Sequence, residues 1–171
     1  VLLVVPAATG MLANDDQGNG PATVTSVDTT STSGTVSIAS DGGFTFSPDD
    51  GFTGTTTFDY TIADADGDES TATVTIVVDP VPTAVDDDDA TDEDTTLIVP
   101  AATGMLANDD EGSAPATVTS VDDSGADGEV TAFDPDDGSF TFVPDADFSG
   151  TTSFEYTITD DNGDTSTGTV T

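Results

Sequence analysis

The segment Val5-Pro6-Ala7-Ala8-Thr9-Gly10-Met11-Leu12-Ala13-Asn14-Asp15-Asp16 recurs unchanged as Val99 to Asp110, 94 residues later. Pro21 to Asp28 returns at the same spacing as Pro115 to Asp122. Beyond the stretch from Gly128 to Gly138 the spacing becomes 96, so that Phe58-Asp59-Tyr60 matches Phe154-Glu155-Tyr156. A two-residue loop insertion accounts for the change. A chain that repeats itself at roughly 95 residues holds two copies of one structural unit, each the size of a small β-sandwich.

Within each copy the apolar residues alternate, as in Phe44 and Phe46, then Phe58, Tyr60 and Ile62, then Val74, Ile76 and Val78. A period of two means half-buried strands, with Thr filling the outward positions, and no helical stripe competes with it. In the second copy strands are expected near Thr83 to Asp87, Thr95 to Pro100, Ala116 to Val121, Glu129 to Phe133, Ser139 to Val143, Thr151 to Thr159 and from Thr165 onward. Asp66-Gly67 and Asn162-Gly163 suit the tight turns between the last two strands. The chain reads as all-β, two tandem β-sandwiches over residues 1–80 and 81–171. The first lacks a counterpart of Pro82 to Asp94, its opening strand, and the second lacks counterparts of Ile76 to Asp79. Neighbouring sequence or another molecule is expected to fill both gaps by strand addition. The run Val1 to Val5 reads as a core strand, too short for a membrane span and without a basic flank.

Charge narrows the function. The chain carries 30 Asp, five Glu and no Lys, Arg or His, a net charge of −35. Without cations its side chains cannot neutralise phosphates, which argues against nucleic acid and anionic lipid as partners. No segment reads as membrane-inserted. Without Cys, His and Lys there are no thiol or imidazole nucleophiles, no Schiff base, no disulfide and no soft-ligand metal site. Dozens of carboxyls satisfy the formal needs of a glycosidase, but a chain without Trp, whose Phe residues sit in strand alternation, offers no sugar platform. The expectation is a non-enzyme, in a saline or calcium-rich medium that screens its charge.

The acids gather in the loops between strands. Carboxylates converging there would repel one another unless a hard cation lay between them. The candidate Ca²⁺ ligands are Asp15 and Asp16 with their matches Asp109 and Asp110; Asp64, Asp66 and Asp68 with Asp160, Asp161 and Asp164; Asp79 in the linker; and Asp86, Asp87 and Asp88 in a run of four acids. Asp64 to Glu69 has an EF-hand's opening spacing but neither its closing Glu nor its flanking helices. Tyr60 and Tyr156 alternate with Phe and Ile, so they are expected to pack in the core with their hydroxyls tied to a loop.

The order Asn-Asp-Asp, Gly-x-Phe-x-Phe-x-Pro, Phe-x-Gly-x3-Phe-x-Tyr-Thr-Ile and Asp-x-x-Gly-Asp, closed by a Val-rich strand and an Asp-Pro linker, resembles bacterial cadherin-like or immunoglobulin-like tandem repeats of the VCBS type. That resemblance implies secretion, a surface or extracellular location, and a place in the shaft of a large calcium-dependent adhesin or matrix protein. The expected role is a spacer or filament module, stiffened by calcium at loop ends and at the junction between repeats, with neighbouring repeats and other copies in a fibre as partners. The alternatives are a calcium-dependent module recognising glycans or proteins, and a fibre subunit assembling by strand complementation.

Overall fold

The computed structural model describes residues 2–171, so Val1 of the predicted first strand lies outside the described residues. The chain divides into two compact units, Val1–Asp79 and Pro80–Thr171. Unit one contains β1 (Leu3–Val5), β2 (Thr23–Asp28), β3 (Gly34–Ile38), β4 (Phe44–Pro48), β5 (Gly54–Ala63) and β6 (Glu69–Val78). Unit two contains β7 (Leu97–Val99), β8 (Thr117–Asp122), β9 (Gly128–Phe133), β10 (Phe140–Pro144), β11 (Phe154–Thr159) and β12 (Thr165–Val170). Each unit forms two three-stranded antiparallel sheets, ordered β1-β4-β3 and β2-β5-β6 in the first, β7-β10-β9 and β8-β11-β12 in the second.

The alternating residues of both sheets meet in one core per unit. Phe44 of β4 packs edge-on against Phe58 of β5 at 5.4 Å, and Phe140 of β10 meets Phe154 of β11 in the same way at 5.3 Å. Such pairs contribute about 0.5–1.5 kcal/mol beyond the burial of their area. The repeated Pro-Ala-Ala-Thr-Gly-Met-Leu segment leaves β1 and β7 through 3₁₀ turns and plants Met11 and Met105 in the two cores. It tolerates only glycine at its bend. A Cβ on Gly10 or Gly104 would lie 2.2 or 2.4 Å from the carbonyl oxygen of Gly42 or Gly138, which accepts the amide of Met11 or Met105.

Three expectations need correction. Over its described residues the Val1 to Val5 run is not a core strand: Leu2, Leu3 and Val4 are exposed and Val5 alone packs against the core, while among the described residues β1 pairs with β4 at a sheet edge. The two extra residues of the second copy are not both in a loop. One lengthens the turn from β9 to β10, and the other makes a bulge opposite the Thr141–Phe142 step, where Thr131 has no partner. The strand expected at Thr83 to Asp87 is an extended segment held by two isolated bridges, Thr83 to Asp110 and Asp87 to Val170.

Candidate functional site

In unit two the segment around Asp87 is clasped from two sides. The chain that follows the 3₁₀ turn Ala101–Thr103 brings Asn108, Asp109 and Asp110 beside it. Thr83 and Asp110 exchange backbone hydrogen bonds at 2.8 and 3.0 Å, and the side-chain amide of Asn108 donates to the carbonyl of Asp86 at 3.2 Å. Asp109 Oδ1 accepts the amide of Val85 at 2.7 Å, while the carbonyl of Val85 accepts the Tyr156 hydroxyl at 3.0 Å. That hydroxyl also stands 3.1 Å from Asp109 Oδ1. On the other side, the Asp87 amide donates to Thr169 and its carbonyl accepts from Thr171, both at 2.9 Å, so the segment runs parallel to β12. Asp86 Oδ1 accepts the Thr169 amide.

Asp87 Oδ2 is buried and has no hydrogen-bond partner. An oxygen shut away from water without a donor is costly, and more so on an ionised group. Burial pushes the Asp87 carboxyl up to about 6; the Tyr156 hydroxyl opposes the shift, the charges of Asp109 and Asp89 add to it, and Asn108 opposes it again. Burial raises Asp109 and Asp89 as well. Tyr156 is held far above its ordinary value, by burial first and then by the charges of Asp109 and Asp87. The donors are oxygens and two of them are carboxylates. That set fits a hard divalent cation such as Ca²⁺, which would use the orphaned oxygen and offset the repulsion.

Unit one presents the matching residues without the segment. Tyr60 is buried like Tyr156, and both hydroxyls are tied to a loop as expected. The Tyr60 hydroxyl lies 3.1 Å from the Met11 carbonyl and 2.9 Å from Asp15 Oδ2, and burial with the Asp15 hydrogen bond pushes it up to about 12.

Other candidate ligands are engaged by the protein itself. Asp64 accepts amides from Asn19, Asp66 and Asp68, and these hydrogen bonds hold its carboxyl below the usual range. Asp66 accepts the Asn19 side chain, and Asp68 closes the turn through its carbonyl to the Asp64 amide. Asp160 is buried and accepts amides from Ser113, Asn162 and Asp164; Asp161 and Asp164 are exposed. Asp16 and Asp110 each cap their own loop by accepting the amide two residues on, and Asp79 and Asp88 are exposed. The structure thus brings Asp87 and Asp109 together, ties Asp86 to the Thr169 amide and Asp64 and Asp160 into turns, and leaves Asp79 and Asp88 at the surface.

One cluster had no signal in the sequence. Glu93, Asp94 and Asp147, all exposed, place carboxylate oxygens within 4.8 Å of one another. The Asp147 amide donates to Asp94 across 53 residues of chain.

Two three-stranded sheets closed over a shared core, with the opening segment laid parallel on the last strand, define an immunoglobulin-like sandwich. The chain belongs to the Bacterial Ig domain family, which matches residues 4–77 and 79–171. It is also similar to solved structures. Drosophila N-cadherin EC1-4 is 16% identical over 91% of this chain and 41% of that one, with a TM-score of 0.40. Extracellular cadherin domains 1-4 of protocadherin gamma B7 are 14% identical over 86% and 42%, with a TM-score of 0.33. The Bacteroides ovatus mixed-linkage glucan utilization locus protein SGBP-B, in complex with a mixed-linkage heptasaccharide, is 13% identical over 88% and 37%, with a TM-score of 0.23. The chain spans about two fifths of the length of these structures. No curated protein matches the sequence significantly. Among the described residues no helix is long and apolar enough to cross a membrane.

Proposed function

We propose that the chain is a spacer module of a repetitive extracellular adhesin or matrix protein, and that a calcium ion locks the opening segment of its second unit onto the sandwich. Asp87 and Asp109 would hold the ion, with Asp86 and Asn108 fixing the backbone around it. The ion supplies positive charge to a chain that has no cationic side chain of its own. The observation that carries this reading is the buried, partnerless Asp87 Oδ2. Membership in the Bacterial Ig domain family supports the modular role, and the calcium-rich exterior of a cell is the setting in which such a site would be filled.

A cation that binds only the folded unit stabilises it by mass action, by about 2.7 kcal/mol at a hundred times its dissociation constant. Calcium titrated into the chelator-treated protein is expected to raise the melting temperature, and Asp87→Asn to abolish most of that rise. Equal calcium responses in the two proteins would refute the assignment of the ion to Asp87.

A further inference from the structure

β3 and β9 hold the same place in their units, yet their outer edges differ. Each lies in the middle of its unit's sequence, and among the described residues β3 pairs with β4 alone and β9 with β10 alone. In unit one the Ser33 carbonyl accepts the Asp49 amide and the Ala39 amide donates to Gly43, so the odd-numbered residues of β3 bond across to β4. The backbone groups of Gly34, Val36 and Ile38 therefore point away from the sheet. The matching amide in unit two, that of Val130, is taken by Asp123 Oδ2 at 2.7 Å. Asp123 opens a turn in which its carbonyl accepts the Ala126 amide at 2.9 Å. Thr29 opens the same turn in unit one, its carbonyl accepting from Thr32 at 3.1 Å, but it has no carboxylate to reach Val36. β9 is blunted twice more, by Glu129 where β3 has Thr35 and by the bulge at Thr131. Charges and bulges close a sheet edge to a further strand, and a capped amide takes a donor from it. β9 has all three, and β3 has none.

We propose that the β3 edge is a docking site, and that its occupant is an extended segment of a basic partner protein added antiparallel to β3. The main chain of that segment bonds to the outward groups of Val36 and Ile38. Both side chains are half-buried at the rim of the first core, so the residues beside them are small and apolar, alternating with Thr or Ser beside Thr35 and Ser37. Charge selects the rest. β3 is itself uncharged, while exposed acids stand at both ends: Asp41 beyond Ile38, and Asp49 and Asp50 beyond the Pro48 that faces Gly34. The chain has no cation to answer them, and a second copy would bring another net charge of −35 to the edge. A segment with Lys or Arg at each end of a neutral centre matches this pattern. The proposal goes beyond the calcium reading and does not depend on it, since it concerns the other unit and backbone groups that need no ion.

The test follows amide hydrogen exchange in the whole chain, in salt that screens diffuse attraction, with the synthetic peptide Lys-Lys-Thr-Val-Thr-Val-Thr-Lys-Lys. The control peptide has the same charge and carries Pro at both Val positions, which removes the amides that face β3. The first peptide is expected to protect the Val36 and Ile38 amides and to leave Val130 unchanged; the control is expected to protect none of them. Thr29→Asp supplies the carboxylate that caps the edge in unit two, and is expected to weaken the first peptide about tenfold or more without lowering the melting temperature. Equal effects of the two peptides, including none, would overturn the proposal, as would unchanged binding to the Thr29→Asp chain. Protection of Val36 that grows with chain concentration alone would assign the edge to a second copy and overturn the basic partner.

Discussion

Two units built from nearly the same residues end in different states at the same place. In the second, Tyr156 and Asp109 hold a passing strand, and burial leaves Asp87 with an oxygen that nothing in the protein satisfies. In the first, Tyr60 and Asp15 hold each other and the Met11 carbonyl, and no buried side-chain atom is orphaned among the described residues. On the proposed reading the motif alone does not make a cation site. The site would arise when an acidic strand is pressed against the motif, because that step removes water from carboxylates the loop alone would leave hydrated.

This contrast is sharpest in calcium. At a hundred times the dissociation constant, about 2.7 kcal/mol on a unit of this size is expected to raise the melting temperature of the second unit by roughly 10–20 °C. The first unit should shift much less. Calorimetry that resolves the two transitions checks this, and equal shifts would erase the distinction between the units.

The next largest effect is steric. Gly168→Ala puts a methyl group into the Tyr156 ring and hydroxyl, at a cost of about 1–3 kcal/mol. The reverse exchange, Ala72→Gly, is expected to cost less than ~1 kcal/mol, the backbone entropy of glycine in a strand. Denaturant melts of the two variants compare them directly. Smaller again is the loss of one hydroxyl. Tyr156→Phe leaves the Val85 carbonyl without its side-chain donor, Tyr60→Phe does the same to the buried Met11 carbonyl, and each should cost about 0.5–1.5 kcal/mol.

A further effect is that of pH. The folded protein holds the Asp87 proton up to about 6, against 3.8 for a free carboxyl. Between those values the folded state binds more protons than the unfolded state, so this group's contribution to stability falls as pH rises from about 4 and is fully unfavourable above about 6. Asp28, Asp64, Asp122 and Asp137, lowered chiefly by hydrogen bonds, act in the opposite sense and only below the usual carboxylate range. In chelator, Asp87→Asn is expected to gain on the wild type as pH rises from 4 to 7. A constant difference in melting temperature across that window would contradict the burial of Asp87.

Much of the fold was legible because period-two alternation and an internal repeat are local signals. Phe44, Phe46, Phe58 and Tyr60 announce their strands by spacing, and the Asp-Gly and Asn-Gly turns announce the last hairpin. Which acid would be buried was not legible. Asp86, Asp87 and Asp88 are equivalent in a run of like residues, and only the parallel register against β12 turns Asp87 inward. The role of Asp64 and Asp160 as acceptors of backbone amides depends on loops some 45 residues upstream, at Asn19 and Ser113. The Glu93, Asp94 and Asp147 cluster joins two loops of unit two that lie 53 residues apart, which no spacing rule connects. The isolated bridges at Thr83 and Asp87 show the same limit, since composition proposes a strand but the neighbouring edge decides how much of it pairs.

The central claim is tested most directly by following the carboxyl carbon resonances of all 30 Asp residues by NMR as calcium is added to the chelator-treated chain. Asp87 and Asp109 are expected to move first and to saturate together, ahead of Asp64, Asp160 and the exposed acids. A uniform drift of every carboxyl, or saturation first in the turns of Asp64 and Asp160, would contradict a cation bound at the Asp87 clasp.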